Sequence, residues 1–200
     1  MSAPIDQLRE PLLAIFVGGR SSRMGTDKGL LPAPAGDGTV LESVVAAGRL
    51  AGLESALIGD AAPYASLVTE LPRVEDQPSG AGPLGGLGGA LAFARSRGRA
   101  RLITVACDMP YVTGAVLRAV AGHPSGAPVL ATRRGDGAPW EPMLARYDVA
   151  QVADVLDTAL EEGTRSFQRL FEELTVEALP LTDELRHALT DWDTPADVTR

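Results

Sequence analysis

Cysteine and lysine each occur once in this 200-residue chain, as Cys107 and Lys28. A single cysteine excludes an internal disulfide framework and any cysteine-built zinc or iron–sulfur cage. Aromatic residues make up only 4% of the chain. No apolar run approaches the ~18 residues needed to cross a membrane. A net charge of −8 argues against a protein that coats nucleic acid. The opening residues carry Pro4, Asp6, Glu10 and Pro11, without a basic start or a long apolar stretch, so no signal peptide is expected. The expectation is a cytoplasmic protein with a flexible N-terminus over residues 1–11 and with neither nucleic acid nor membrane as a partner.

What is present fits one α/β domain over residues 1–200. Hydrophobic residues at 45% and charged residues at 22% can build a sizeable core and argue against disorder. Leu12 to Val17 (LLAIFV) is an apolar run closed by Gly18 and Gly19, the pattern of a parallel strand buried on both faces. A long loop follows, from Gly18 to Gly38. Thr39 to Leu53 predicts a helix, with Thr39 as N-cap, Glu42 completing a capping box and Gly52 marking the end. Further strands are predicted at Ala56 to Ile58, Arg101 to Cys107, Pro128 to Thr132, Met143 to Tyr147 and Val176 to Leu179, with a short extended segment from Arg73 to Glu75. Helices are predicted at Pro63 to Leu71, Gly82 to Arg97, Thr113 to Ala121, Val149 to Glu162 and Arg165 to Leu174. Strands alternating with helices imply a mostly parallel sheet covered on both faces, a Rossmann-like three-layer αβα architecture. Ligands of such sheets bind outside the carboxyl ends of the strands.

The residues that follow the apolar runs are therefore the ones to read for chemistry. After the first run comes Gly-Gly-Arg-Ser-Ser-Arg-Met-Gly-Thr-Asp-Lys, residues 18–28. Glycines let backbone N–H groups approach an anion, and Arg20, Arg23 and Lys28 concentrate cations in an acidic chain. Seventeen of the eighteen basic residues are arginine, yet this loop carries the lysine. The segment is not a Walker loop, since no Gly-Lys-Ser/Thr follows. Asp108 ends the clearest strand, where a carboxylate can hold Mg²⁺ against a triphosphate. Gly80, Gly82 and Gly85 spell Gly-x-Gly-x-x-Gly outside the first strand–helix unit, and read as a tight turn into a helix packed close to the sheet. Asp191 and Asp193, two residues apart, would point the same way on an extended segment; the other reading is that Asp193 or Thr194 caps a terminal helix. Cys107 reads as a buried small residue, His123 and His187 as surface residues, and Arg95, Arg97, Arg99 and Arg101 as a solvated helix end.

The loop from Gly18 to Lys28 resembles the G-G-x-S-x-R-M-G-x-D-K signature of the nucleotidyltransferases that include the molybdenum cofactor guanylyltransferases. The likeness continues through Glu75-Asp76, Gly82-Pro83-Leu84-Gly85-Gly86-Leu87, Cys107-Asp108-Met109-Pro110, Glu141-Pro142-Met143 and Asp193-Thr194-Pro195-Ala196-Asp197, in family order over nearly the whole chain. The resemblance implies a fold of the nucleotide-diphospho-sugar transferase type. It also implies transfer of GMP from GTP, with Mg²⁺, onto the phosphate of molybdopterin cofactor, with molybdoenzyme maturation proteins as further partners. By this likeness Phe16, Val17, Gly18 and Gly19 border the nucleotide through their backbone. Arg23 and Lys28 hold the phosphates, Asp76 contacts the nucleotide (as does Gly59 or Asp60, less firmly aligned), and Asp108 and Asp193 hold the metal. Two departures stand out. Phe16-Val17 replaces the family's Leu-Ala, which backbone contacts tolerate. Asp193 stands where guanylyltransferases often carry Asn and cytidylyltransferases Asp. Cytidylyl transfer to the same cofactor, nucleotidyl transfer to another phosphate acceptor, and a non-catalytic nucleotide binder therefore stay open.

Overall fold

The computed structural model describes residues 10–18, 27–34 and 38–190. Seven strands, β1 (Leu12–Val17), β2 (Glu54–Gly59), β3 (Arg73–Val74), β4 (Arg101–Ala106), β5 (Val129–Arg133), β6 (Trp140–Asp148) and β7 (Val176–Ala178), form one sheet. Their order is β3-β2-β1-β4-β6-β5-β7. All run in one direction except β6, which pairs antiparallel with both β4 and β5. The helices are α1 (Val40–Ala51), α2 (Pro83–Ser96), α3 (Gly114–Gly122), α4 (Val149–Glu161), α5 (Phe167–Glu172) and α6 (Asp183–Ala188). No helix among the described residues is long and apolar enough to cross a membrane.

Alternation along the strands sorts the core into two layers. Leu13, Ile15 and Val17 of β1 pack with Val44 of α1, Leu117 of α3 and Leu185 of α6. Leu12 and Ala14 face the opposite layer, with Leu87 of α2, Leu156 of α4 and Phe171 of α5. The three-layer αβα architecture read from the sequence is the one observed.

Local chemistry explains most of the helix boundaries. Thr39 and Glu42 form the predicted capping box: the Thr39 N–H donates to Glu42 Oε2 at 2.8 Å, and the Glu42 N–H donates to Thr39 Oγ1 at 3.3 Å. Gly52 then ends α1 with a left-handed φ of 76°. Gly82, with φ 63° and ψ −148°, adopts a conformation closed to other residues and turns the chain into α2. The Gly-x-Gly-x-x-Gly segment is thus a tight turn into a closely packed helix.

The predicted helix from Pro63 to Leu71 does not form. Only Ala62–Tyr64 makes a single 3₁₀ turn, and later bonds such as Leu67 N–H to Tyr64 O close three-residue turns. Ala61, Tyr64 and Leu67 recur every third residue, which suits such turns, while Val68, Thr69 and Pro72 disfavour an α-helix. The basic run after α2 also differs from its reading. Arg95 is exposed, but Arg97 and Arg99 bind Glu54 at the start of β2, at 2.7 and 2.6 Å, and the Arg99 side chain is only 13% exposed. These arginines clamp the base of the sheet.

Candidate active site

Strand order places the site. The chain moves outward from β1 to β2 and β3, then crosses back to lay β4 on the other side of β1. The carboxyl ends of β1 and β4 thus flank a topological switch point, the place where sheets of this kind bind their ligands. The Cys107 N–H donates to Phe16 O at 2.9 Å, so the segment leading to Asp108 starts beside the end of β1.

Lys28 arrives at this edge from the other side of the long loop. Asp27 caps a single 3₁₀ turn, Lys28–Leu30, by accepting the Gly29 N–H at 3.3 Å. Within that turn Lys28 Nζ reaches to 3.6 Å from Asp108 Oδ2, with 17% of the lysine side chain and 32% of the aspartate exposed. A cation and a carboxylate, both partly exposed, therefore face each other at this edge, a pairing suited to a phosphate group and its counter-ion. Thr113, not Asp108, caps α3, by accepting the Val116 N–H. That leaves the carboxylate of Asp108 uncommitted to capping.

A cleft of about 410 Å³ opens beside β2 and β3, lined in part by Gly59, Asp60, Arg73, Glu75, Asp76 and Ser79. Gly59 (φ 99°) makes this corner possible, because a Cβ there would lie 2.5 Å from Val17 O. The same Cβ position is 3.7 Å from Asp76 Oδ1, so the ends of β1, β2 and β3 converge on the cleft. Burial raises the pKa of the Asp76 carboxyl above its ordinary value. The glycines of α2 allow the strap from Glu75 to Pro78 to lie directly on the helix. A Cβ at Gly88 would fall 2.1 Å from Gln77 O, and one at Gly89 would fall 2.2 Å from Glu75 O.

The predicted residues divide into those the structure brings together and those beyond its description. Phe16, Val17, Gly18, Lys28, Asp76 and Asp108 all stand at the same carboxyl edge. Gly19, Arg20, Arg23, Asp191 and Asp193 lie outside the described residues. Asp60, Arg73 and Ser79 join the cleft without having carried a firm sequence signal, although Asp60 directly follows a strand. Cys107 is buried, and that burial is the main cause of a thiol pKa pushed up to about 12. It is a packing residue, as expected. His187 is exposed and packs its ring, tilted by 32°, against that of Tyr111 at a separation of 4.3 Å.

Among the described residues, no group of three or more His, Cys, Asp or Glu side chains could cage a metal ion. Mg²⁺ does not need one, since it is commonly held by one or two carboxylates together with substrate phosphates and water. Asp108, hard, anionic and partly exposed, fits that mode.

The fold is a mostly parallel α/β sheet with a basic and an acidic side chain paired at its switch point, and comparison with known proteins supplies its class. The family model described as the MobA-like NTP transferase domain matches residues 13–178. A relative in Opitutus terrae, called a probable molybdenum cofactor guanylyltransferase, is 33% identical over 94% of this chain and 92% of its own. One of the same name in Synechococcus elongatus is 33% identical over 92% and 93%. Among solved structures, the molybdopterin-guanine dinucleotide biosynthesis protein A of Archaeoglobus fulgidus superposes with a TM-score of 0.73 at 24% identity, covering 94% of each chain. A nucleotidyl transferase from Methanothermobacter gives 0.70 at 22% identity, over 95% and 94%. These structural likenesses establish the fold, of the nucleotide-diphospho-sugar transferase type. The chain belongs to the MobA-like NTP transferase family and is a nucleotidyltransferase.

Proposed function

We propose that this protein transfers a guanylyl group from GTP to the phosphate of molybdopterin cofactor and releases pyrophosphate, as a single cytoplasmic domain upstream of molybdoenzyme maturation. The observation that carries the reading is the meeting of Lys28 and Asp108 at the β1–β4 switch point. It occurs in a chain 33% identical, over nearly its full length, to relatives bearing the guanylyltransferase name.

In the reaction an oxygen of the acceptor phosphate attacks the α-phosphorus of GTP in line. The bond from that phosphorus to the bridging oxygen breaks, and pyrophosphate leaves with the electron pair. Both reactants are anions, so positioning and charge neutralisation matter more than a protein nucleophile. Lys28 would supply a compact cation for the triphosphate and the departing pyrophosphate, and Arg23 a second one. Asp108 would hold Mg²⁺, with Asp193 as the second carboxylate. The metal, when bound, adds neutralising charge on the phosphates. The backbone of Phe16 to Gly19 would border the nucleotide. The β2–β3 cleft would receive the base, and the carboxylates of Asp60, Glu75 and Asp76 offer acceptors for the N1–H and N2–H donors of guanine.

The test is a thermal-shift series with Mg²⁺ and each of the four nucleoside triphosphates, followed by pyrophosphate release with molybdopterin. GTP is expected to give the largest shift, a tenfold preference being worth about 1.4 kcal/mol at saturation. A larger shift with CTP would reassign the base to cytosine, the outcome towards which Asp193 points.

A further inference from the structure

Tyr64 lies on the single turn after β2, fully buried, yet its hydroxyl is spent on residues of the phosphate edge. It donates a hydrogen bond to Asp27 Oδ1, the same oxygen that accepts the Gly29 N–H and so caps the turn carrying Lys28. Its oxygen also lies 3.5 Å from Cys107 Sγ, on the residue preceding Asp108. The backbone of Gly29 rests directly on the tyrosine: a Cβ there would lie 2.8 Å from the hydroxyl, 3.0 Å from Cε1 and 3.2 Å from Cys107 Sγ. One side chain thus touches both segments that bear the Lys28–Asp108 pair, without reaching the open edge itself.

We propose that Tyr64 is a positioning residue for Lys28: through Asp27 it fixes the lysine turn against the Asp108 segment, so that the ammonium is held ready for the phosphates. This rests on the triphosphate reading above. A phenylalanine would fill the same apolar space, so the hydroxyl is the informative atom. Burial, reinforced by the neighbouring thiol and carboxylate, raises the phenol's pKa far above its ordinary value and keeps it a proton donor throughout the working pH range. Its acceptor caps a three-residue turn, a piece of backbone too short to hold its own geometry.

The experiment is a double-mutant cycle of Tyr64→Phe and Lys28→Ala. It is read by calorimetric titration with inorganic pyrophosphate and Mg²⁺, and by thermal melting. Tyr64→Phe should melt close to wild type but bind pyrophosphate about tenfold more weakly, and should add almost nothing in the Lys28→Ala background. Wild-type binding by the folded Tyr64→Phe protein, or a loss fully additive with Lys28→Ala, overturns the proposal. If Tyr64→Phe fails to fold, Asp27→Asn carries the same cycle: it keeps a capping oxygen but weakens the tyrosine bond, and no effect or full additivity there is equally fatal. Pyrophosphate has no base, so an incorrect assignment of guanine would appear in the triphosphate series and leave this cycle readable.

Discussion

Lys28 Nζ and Asp108 Oδ2 stand 3.6 Å apart, at the point where the chain reverses its progress across the sheet. The two residues come from opposite halves of the switch point, one from the loop after β1 and one from the end of β4. Their separation allows an ion pair in the free protein. Such a partly exposed pair contributes little to stability, whereas a charge aimed at a transferring phosphoryl group contributes a great deal to rate.

Lys28→Ala and Asp108→Asn should therefore separate stability from activity. Each is expected to change unfolding free energy by less than about 1 kcal/mol. Each should lower Mg²⁺-dependent pyrophosphate release by about a hundredfold or more. Turnover across a Mg²⁺ series, with circular dichroism as the folding control, checks this. A folded variant with wild-type turnover would remove that residue from the site.

Glu54 should be a source of acid sensitivity remote from the site. Burial alone would raise its pKa, but hydrogen bonds and charge from Arg99 and Arg97 outweigh that and leave it below the ordinary carboxylate value. A lowered folded pKa means that the stabilisation is complete above the unfolded value of about 4.3 and is lost as pH falls through the folded one. Glu54→Gln should cost about 1 kcal/mol at neutral pH. In urea unfolding the gap from wild type should close in acid. A gap that does not change with pH would contradict this account.

Arg146 holds the end of α3. The residue is 4% exposed on β6, and its guanidinium donates to the carbonyls of Val120, Ala121 and His123 at 3.0, 2.8 and 2.7 Å. Those are carbonyls that a helix leaves without internal partners. Arg146→Leu should destabilise by about 2–4 kcal/mol. It should also speed amide exchange in α3 before the rest of the sheet. A loss below about 1 kcal/mol would mean that water replaces the guanidinium with ease.

Two glycines in helices should respond oppositely to alanine. A Cβ at Gly88 would meet the Gln77 carbonyl at 2.1 Å, so Gly88→Ala must push the strap carrying Asp76 away from α2. It should weaken triphosphate binding as well as stability. At Gly122, apart from its own helix and chain neighbours, no atom lies within 4 Å of the added methyl. Gly122→Ala should be neutral or stabilising by up to about 1 kcal/mol. Paired melting curves and triphosphate titrations decide it, and equal behaviour of the two variants would refute the packing account.

Much of the architecture was legible because it is written locally. The strand at Leu12 to Val17 shows as an unbroken apolar run, and α1 shows its beginning and end in Thr39, Glu42 and Gly52. The site was legible to the extent that strand ends carry ligands: Asp76 and Asp108 each follow an extended segment, and Lys28 lies in the loop that follows the first apolar run. The segment from Pro63 to Leu71 was misread locally, because its every-third-residue spacing with Val68, Thr69 and Pro72 favours short turns over an α-helix. The misreading of the basic run came from a distant partner. Arg97 and Arg99 look like a solvated helix end until β2 brings Glu54 beneath them.

By itself the amino-acid sequence determined the alternation of strands and helices, the caps and the stock of chemical groups, because these depend on neighbours within a few residues. It also placed one ammonium in a glycine-rich loop and one carboxylate after the strongest strand. Only the tertiary structure decided that β4 lies beside β1, that β6 runs backwards, and that Tyr64 stands between Asp27 and Cys107. Strand order follows from burying both faces of the whole sheet at once, which no short window of sequence contains. The meeting of Lys28 with Asp108 depends on that order.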